Sequence, residues 1–290
     1  MWEPKIVVVG QQWWWEYRYY LTEDVTPDDL ADPWNLPPAD IVTAGQMAIP
    51  IGEEVELIIT SRDVIHSHWI PALNGKRDAV PGRFSPWIIE ADDPGVYFGQ
   101  CTEFCGLSHS RMRMQTVAMT ASDFQQWIDD QMAPAEIPAS ATDYVAALRA
   151  GDSASIDDTD PVARGLELFV GRCSSCHLVD GINDLTYDGA AVVSGSAPDL
   201  THFASRTTFA GGILDTYKED GSLNRDDLAR WIRNPDEVKD NYANDLSEGE
   251  LPRGMPTLGL TERQIDDVIA FLATLGPRPS DEIIQATEVD

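Results

Sequence analysis

The chain has 290 residues, 43% apolar and 24% charged, and its 49 acidic side chains against 20 basic ones give a formal net charge of −29. Repulsion from phosphates argues against nucleic acid as a partner, whereas a basic protein partner or solubility in salt fits the sign. Nine Trp and 9% aromatic residues provide the burial that a disordered chain lacks, and no apolar run reaches the roughly 18 residues that a bilayer span needs.

At roughly 100–200 residues per domain, the length predicts one large domain or two ordinary ones. The chain opens Met1-Trp2-Glu3, without the basic start of a secretory signal. Lys5–Tyr20 is rich in β-branched and aromatic residues, and its end alternates Trp15, Tyr17 and Tyr19 against Glu16 and Arg18, the period of a strand. Strand-like runs follow at Glu54–Thr60, Trp87–Ala91, Gly95–Gln100 and Met114–Met119. Short strands with turn signals between them predict a sandwich or Greek-key barrel. Ser122 reads as the cap of a helix over Asp123–Met132, with Phe124, Trp127 and Ile128 on one side.

The composition then shifts to Ala, Ser, Pro and Asp, with a helical turn at Tyr144–Arg149. Residues 133–160 are expected to be a flexible tether whose ends stay within about 30 Å on average. Helical periodicity takes over beyond it. Asp160-Pro161 opens one helix, with Leu166, Leu168 and Phe169 as its apolar residues. Thr261 and Gln264 form a capping box ahead of Ile265, Val268, Ile269, Leu272 and Leu275, and Gly276-Pro277 stops that helix. The expected organisation is a β domain over 1–132, a linker over 133–160, an all-α domain over 161–277 and a tail over 278–290. Both halves are acidic: residues 1–130 carry 8 basic and 20 acidic side chains (8 − 20 = −12), and residues 131–290 carry 12 and 29 (12 − 29 = −17). Acidity so spread, with only Lys5, Lys76, Lys218 and Lys239 as lysines, fits adaptation to salt as well as it fits docking.

The four cysteines sit as Cys101-x-x-x-Cys105 and Cys173-x-x-Cys176. Two disulfides would be the default in a short secreted domain, but each pair here has metal-type neighbours. Cys173-Ser-Ser-Cys176-His177 is the C-x-x-C-H pattern of covalent haem attachment, in which the thiols join the porphyrin vinyl groups and the adjacent His faces the iron. The other axial position falls to Met255, the sole methionine after Met132, with His202 as the alternative. Met/His ligation raises a haem's potential. This helix before C-x-x-C-H, the Gly254-Met255-Pro256 loop, the capped last helix and the pieces Ala197-Pro198-Asp199-Leu200-Thr201 and Ser205-Arg206 resemble the class I cytochrome c family.

The first pair lies in Cys101-Thr-Glu103-Phe-Cys105-Gly-Leu-Ser-His109-Ser-Arg-Met112. Two thiolates, an imidazole and a thioether within twelve residues select copper, or zinc if the site is closed and four-coordinate. A second Cys lets two thiolates bridge two copper ions, and Asp63-Val-Ile-His66-Ser-His68 offers the remaining, distant imidazole. Here the chain resembles the binuclear Cu(A) domain of subunit II of haem-copper cytochrome c oxidases, a cupredoxin-like barrel.

That resemblance implies that Cys101 and Cys105 bridge, that His66 and His109 each bind one copper, that Met112 is a weak ligand and that Glu103 ligates through its carbonyl. It also implies a magnesium site that the Glu103 side chain would face at the boundary with the catalytic subunit. The family has an aromatic residue where this chain has His68, which is read as a surface or supporting side chain rather than a ligand. Met114 and Met119 are read as strand or core residues. Trp13-Trp14-Trp15 resembles the aromatic strand on which the family receives electrons, with Trp13 at the receiving position and Trp14 and Trp15 as packing residues.

The resemblance together implies a caa-type oxidase subunit. Electrons would pass from an external cytochrome or respiratory complex through haem c to Cu(A), then to catalytic subunit I, which with its companion subunits reduces oxygen. The family's two N-terminal transmembrane helices have no counterpart before Lys5, so the expectation is a chain soluble as given. Those missing helices and subunit I would hold it at the outer face of the bacterial cytoplasmic membrane. Nitrous oxide reductase is excluded because five His cannot supply its copper cluster. A nitric oxide reductase subunit, a free two-centre electron carrier and a copper-delivery protein stay open.

Overall fold

The computed structural model describes residues 5–287, apart from 23–24, 26–28, 31, 151, 153–155, 157–158, 183–196 and 245–252. Ten strands come first: β1 (Lys5–Gln11), β2 (Trp14–Tyr20), β3 (Ile41–Ala44), β4 (Gln46–Pro50), β5 (Val55–Ser61), β6 (His66–Trp69), β7 (Arg77–Ala79), β8 (Ser85–Ile89), β9 (Gly95–Cys101) and β10 (Arg113–Met119). They form two five-stranded sheets, ordered β3-β2-β1-β5-β8 and β4-β10-β9-β6-β7. β1 pairs in parallel with β5, and β4 with β10, so consecutive strands cross between sheets as in a Greek key. The predicted alternation holds along β2. Trp15, Tyr17 and Tyr19 are fully buried between the sheets with Met47, Ile49, Leu57, Ile59 and Met112. Strands β3, β4, β6 and β7 are too short and too weakly alternating to be legible in the sequence.

The opposite face of β2 is not solvent-facing. Glu16 is 2% exposed and takes Arg62 in a two-pronged ion pair at 3.0 Å and Arg18 at 3.0 Å. Burial alone would raise the Glu16 carboxyl, but the two guanidinium groups outweigh it and hold it below its ordinary range.

Helix α1 (Ala121–Met132) closes the first domain. Its cap is Thr120, whose hydroxyl accepts from Asp123 N, rather than Ser122. Thr120 has the extended backbone of a cap, while Ser122 already lies inside the helix. The expected tether is also corrected. Helix α2 (Thr142–Ala150) occupies its middle, and Ala135, Ala141, Tyr144 and Val145 are buried against Phe169, Val179 and Ile182. Its Ala-rich composition suits a thin helix packed on a core, and His202 Nε2 and Asp180 O fasten Ala133 and Ala135.

The second domain contains α3 (Pro161–Arg172), the short ribbon β11 (Thr208–Phe209) with β12 (Leu214–Asp215), α4 (Arg225–Arg233), α5 (Pro235–Val238) and α6 (Glu262–Leu272). Asp160 caps α3 and Thr261 with Gln264 makes the capping box of α6. The two helices cross closely at Gly165, where an added Cβ would collide with the backbone oxygen of Asp267. Phe169 and Phe271 meet beside that crossing at 5.5 Å between ring centroids. Within the expected tail, Ser280 caps a further helix, α7 (Asp281–Ala286), which buries Ile284. Among the described residues no helix is long and apolar enough to cross a membrane.

Candidate metal centres

The end of β9, the loop after it and the start of β6 bring one set of soft donors together. Cys101 Sγ lies 3.8 Å from Cys105 Sγ, 3.9 Å from His66 Nδ1 and 3.3 Å from the carbonyl oxygen of Glu103. Cys105 Sγ lies 3.5 Å from His109 Nδ1 and 3.9 Å from Met112 Sδ. The donor atoms of His66, Cys101 and Cys105 all fall within 4.8 Å of one another. All four cysteines are free thiols. The six residues singled out in the sequence therefore converge. The donor chemistry suits copper held by thiolate, imidazole and thioether.

The imidazole orientation has a cause. His66 Nε2–H donates to Asp63 Oδ1 at 2.8 Å, leaving Nδ1 as the lone pair aimed at Cys101. Asp63 also accepts from Gln12 N at 2.7 Å. Burial alone would raise its carboxyl, but the bonds from His66, Gln12 and Val64 hold it below the ordinary range. Asp63 lies three residues before His66, and that spacing carries no signal of this role.

His68 is 2% exposed, so its placement on the surface is corrected. It sits opposite Cys101 in the β6–β9 register, with Nε2 3.3 Å from the Tyr17 hydroxyl and its ring edge-on to Trp15 at 5.0 Å. Burial pushes its imidazole down to about 4, so it stays neutral. Glu103, Phe104 and Leu107 are exposed at the tip of the loop, Phe104 at 76%, and Val64 and Ile65 are exposed nearby in sequence to His66.

The second domain holds a largely apolar cavity of about 480 Å³. Cys173, Cys176, His177 and Met255 all line it, together with Phe169, Phe203, Leu228, Ile232 and Leu272. The turn after α3 returns Cys176 N and His177 N to Cys173 O at 3.1 and 2.9 Å. His177 Nδ1–H donates to Pro198 O at 2.7 Å, which puts the ring's lone pair on Nε2. His202 instead directs Nε2 to Ala133 O at 2.8 Å and is absent from the cavity wall. Size, apolar lining and donors suit a haem joined through the two thiols.

Trp13, Trp14 and Gly45 also line this cavity, so the β domain reaches it. Trp13 Nε1–H and Gln12 Nε2–H both donate to the Cys105 carbonyl oxygen, at 3.0 and 2.8 Å. A second seam joins Gln46 to Thr207, whose N–H donates to Gln46 Oε1 at 2.9 Å. Trp14, read as a packing residue, thus serves the cavity, while Trp15 packs in the core.

Residues 5–119 match the family profile described as cytochrome c oxidase subunit II, periplasmic domain, and residues 162–276 match that of cytochrome c. Cytochrome c oxidase subunit 2 of Alkalihalophilus pseudofirmus is 29% identical over 273 residues, covering 93% of this chain and 60% of the relative. The protein of that name from Bacillus sp. (strain PS3) is 28% identical over 275 residues, covering 92% and 61%. The chain thus spans about three fifths of the length of these relatives. The solved periplasmic domain of cytochrome oxidase subunit II from Bradyrhizobium japonicum is 28% identical, covers 45% of this chain and 94% of its own, and has a TM-score of 0.36.

Proposed function

As a chain that joins a cytochrome c oxidase subunit II periplasmic domain to a cytochrome c domain, the protein is, we propose, the electron-receiving subunit of a haem-copper oxidase. It takes single electrons at its C-terminal domain and passes them to the copper domain and on to a catalytic subunit. Cys101, Cys105, His66, His109, Met112 and the Glu103 carbonyl would hold a binuclear copper. Cys173, Cys176, His177 and Met255 would hold haem c. Each group supplies a one-electron reservoir when bound.

The observation that carries this reading is the shared wall: Trp13 lines the haem cavity and its indole donates to the carbonyl of Cys105. Trp13 is therefore the residue through which electrons enter the copper domain. Asp63 orients His66, and the aromatic packing of Trp15 and Tyr17 keeps water from the thiolates, which limits reorganisation on electron transfer. The exposed Phe104, Leu107, Val64 and Ile65 offer an apolar face to subunit I. The exposed Glu103 carboxylate there is the candidate magnesium ligand at that boundary. The working location is the outer face of the bacterial cytoplasmic membrane.

The deciding experiment is an absorption and EPR study of the chain loaded with haem and copper. The expected spectrum combines covalent haem with the hyperfine pattern of an electron shared by two copper nuclei. A pattern from a single copper nucleus would defeat the binuclear assignment, and ready loss of copper to a mild chelator would favour copper delivery.

A further inference from the structure

Four residues of the C-terminal domain, Val238, Lys239, Asp240 and Tyr242, grip the copper domain from two directions. Lys239, 5% exposed, donates from Nζ to the carbonyl oxygens of Trp13 at 2.5 Å and Ala210 at 2.9 Å. Tyr242 lays its ring on Trp13 at 5.5 Å between centroids, and its own N–H is held by Arg253 O at 2.8 Å. The copper loop reaches back. Ser108 Oγ donates to Asp240 O at 2.6 Å and Arg111 donates to Val238 O at 2.5 Å. Burying a lysine head is costly unless its hydrogen bonds are made, and one of the two that satisfy Lys239 lies across the domain boundary. Trp13 is left 3% exposed.

We propose that Val238–Tyr242 is a permanent latch that docks the C-terminal domain on the Trp13 face, closing that face to any donor outside the chain. A donor must then deliver at the C-terminal domain, where Cys176 is exposed. The inference rests on the reading of both domains as electron carriers, and it replaces a swinging, tethered domain by a fixed one. It makes the route to copper obligatorily internal.

The test compares the full chain with the double variant Lys239→Met/Tyr242→Leu. Hydrogen exchange needs neither haem nor copper. Amides of residues 105–113 and 238–242 should exchange about tenfold faster in the variant, because one charge-assisted bond shifts the docked ratio by about that factor. If the double variant does not fold, Ser108→Ala loosens the same seam from the loop side and should speed the same amides by a smaller factor. In the loaded native chain, transfer between domains after a light pulse should not depend on solvent viscosity. A reduced, small soluble haem protein should reduce copper only after haem in the native chain, and directly in the variant. Equal exchange in native and variant chains, or viscosity-dependent transfer in the native chain, overturns the latch. Absence of the binuclear copper signal overturns the functional reading instead, and the exchange result then judges the latch alone.

Discussion

Trp13 Nε1 donates to the Cys105 carbonyl oxygen across 3.0 Å, so the indole that lines the second domain's cavity is bonded to one residue of the Cys101–Cys105 pair. Trp13→Phe removes this donor but leaves the ring against Tyr242 and the Gln12 bond to the same oxygen. The expected stability loss is about 1 kcal/mol. Transfer between the domains should slow in Trp13→Phe and slow further in Trp13→Leu, as followed by flash photolysis, while the copper EPR signal persists.

His66 and His68 stand two apart on β6, and their roles should separate cleanly. His66→Ala is expected to abolish the binuclear copper signal. His68→Ala should keep the signal and cost about 2 kcal/mol for the cavity beside Trp15 and Tyr17, measured by denaturant unfolding. Loss of the signal in His68→Ala with its retention in His66→Ala would reverse the assignment.

At the haem pocket, Met255→Ala should leave the haem covalently attached and remove the absorption signature of thioether ligation. His202→Ala should leave that signature in place, because its imidazole is committed to Ala133 O. Spectra of the two oxidised variants decide between them.

The Glu16 cluster predicts an acid limb. A carboxyl depressed in the folded state binds protons more readily once unfolded, so its stabilisation is complete above the unfolded value of about 4.3. It is lost as pH falls through the lower folded value. Glu16→Gln removes the carboxylate that Arg62 and Arg18 share and should cost about 3 kcal/mol at neutral pH. It should also flatten the dependence of unfolding free energy on pH below that range. A variant as acid-sensitive as the native chain would exclude Glu16 as the source.

Gly165→Ala places a methyl group against the Asp267 carbonyl where α3 crosses α6. Overpacking of this kind costs about 1–3 kcal/mol, and thermal unfolding of the second domain should shift down accordingly.

The two candidate metal-binding segments stand out in the sequence because their Cys, His and Met residues are close together and chemically rare. Twelve residues hold Cys101 through Met112, and five hold Cys173 through His177. Capping at Asp160 and Thr261 was equally legible, since those signals are local. What escaped reading depends on distance. Asp63 is informative only once His66 has turned its Nδ1 toward Cys101. Lys239 and Tyr242 meet Trp13 across more than 220 residues of chain, with no spacing to betray them. Composition alone misled over residues 133–150, because alanines that suit a loose tether also suit a helix packed with Phe169 in one core.

The wall that Trp13 and Trp14 add to the second domain's cavity also bears on how the chain is built. With Trp13 and Trp14 on its wall, the cavity of the folded chain is expected to admit a porphyrin less readily than a second domain that has not yet met the first. Synthesis delivers the copper-binding half first, and it waits with its indole uncovered until the other half is finished. A chain produced without haem and offered haem only after folding should therefore stay colourless at those two thiols, as extraction into acidified acetone would reveal. The expected order of maturation is pigment first and closure second.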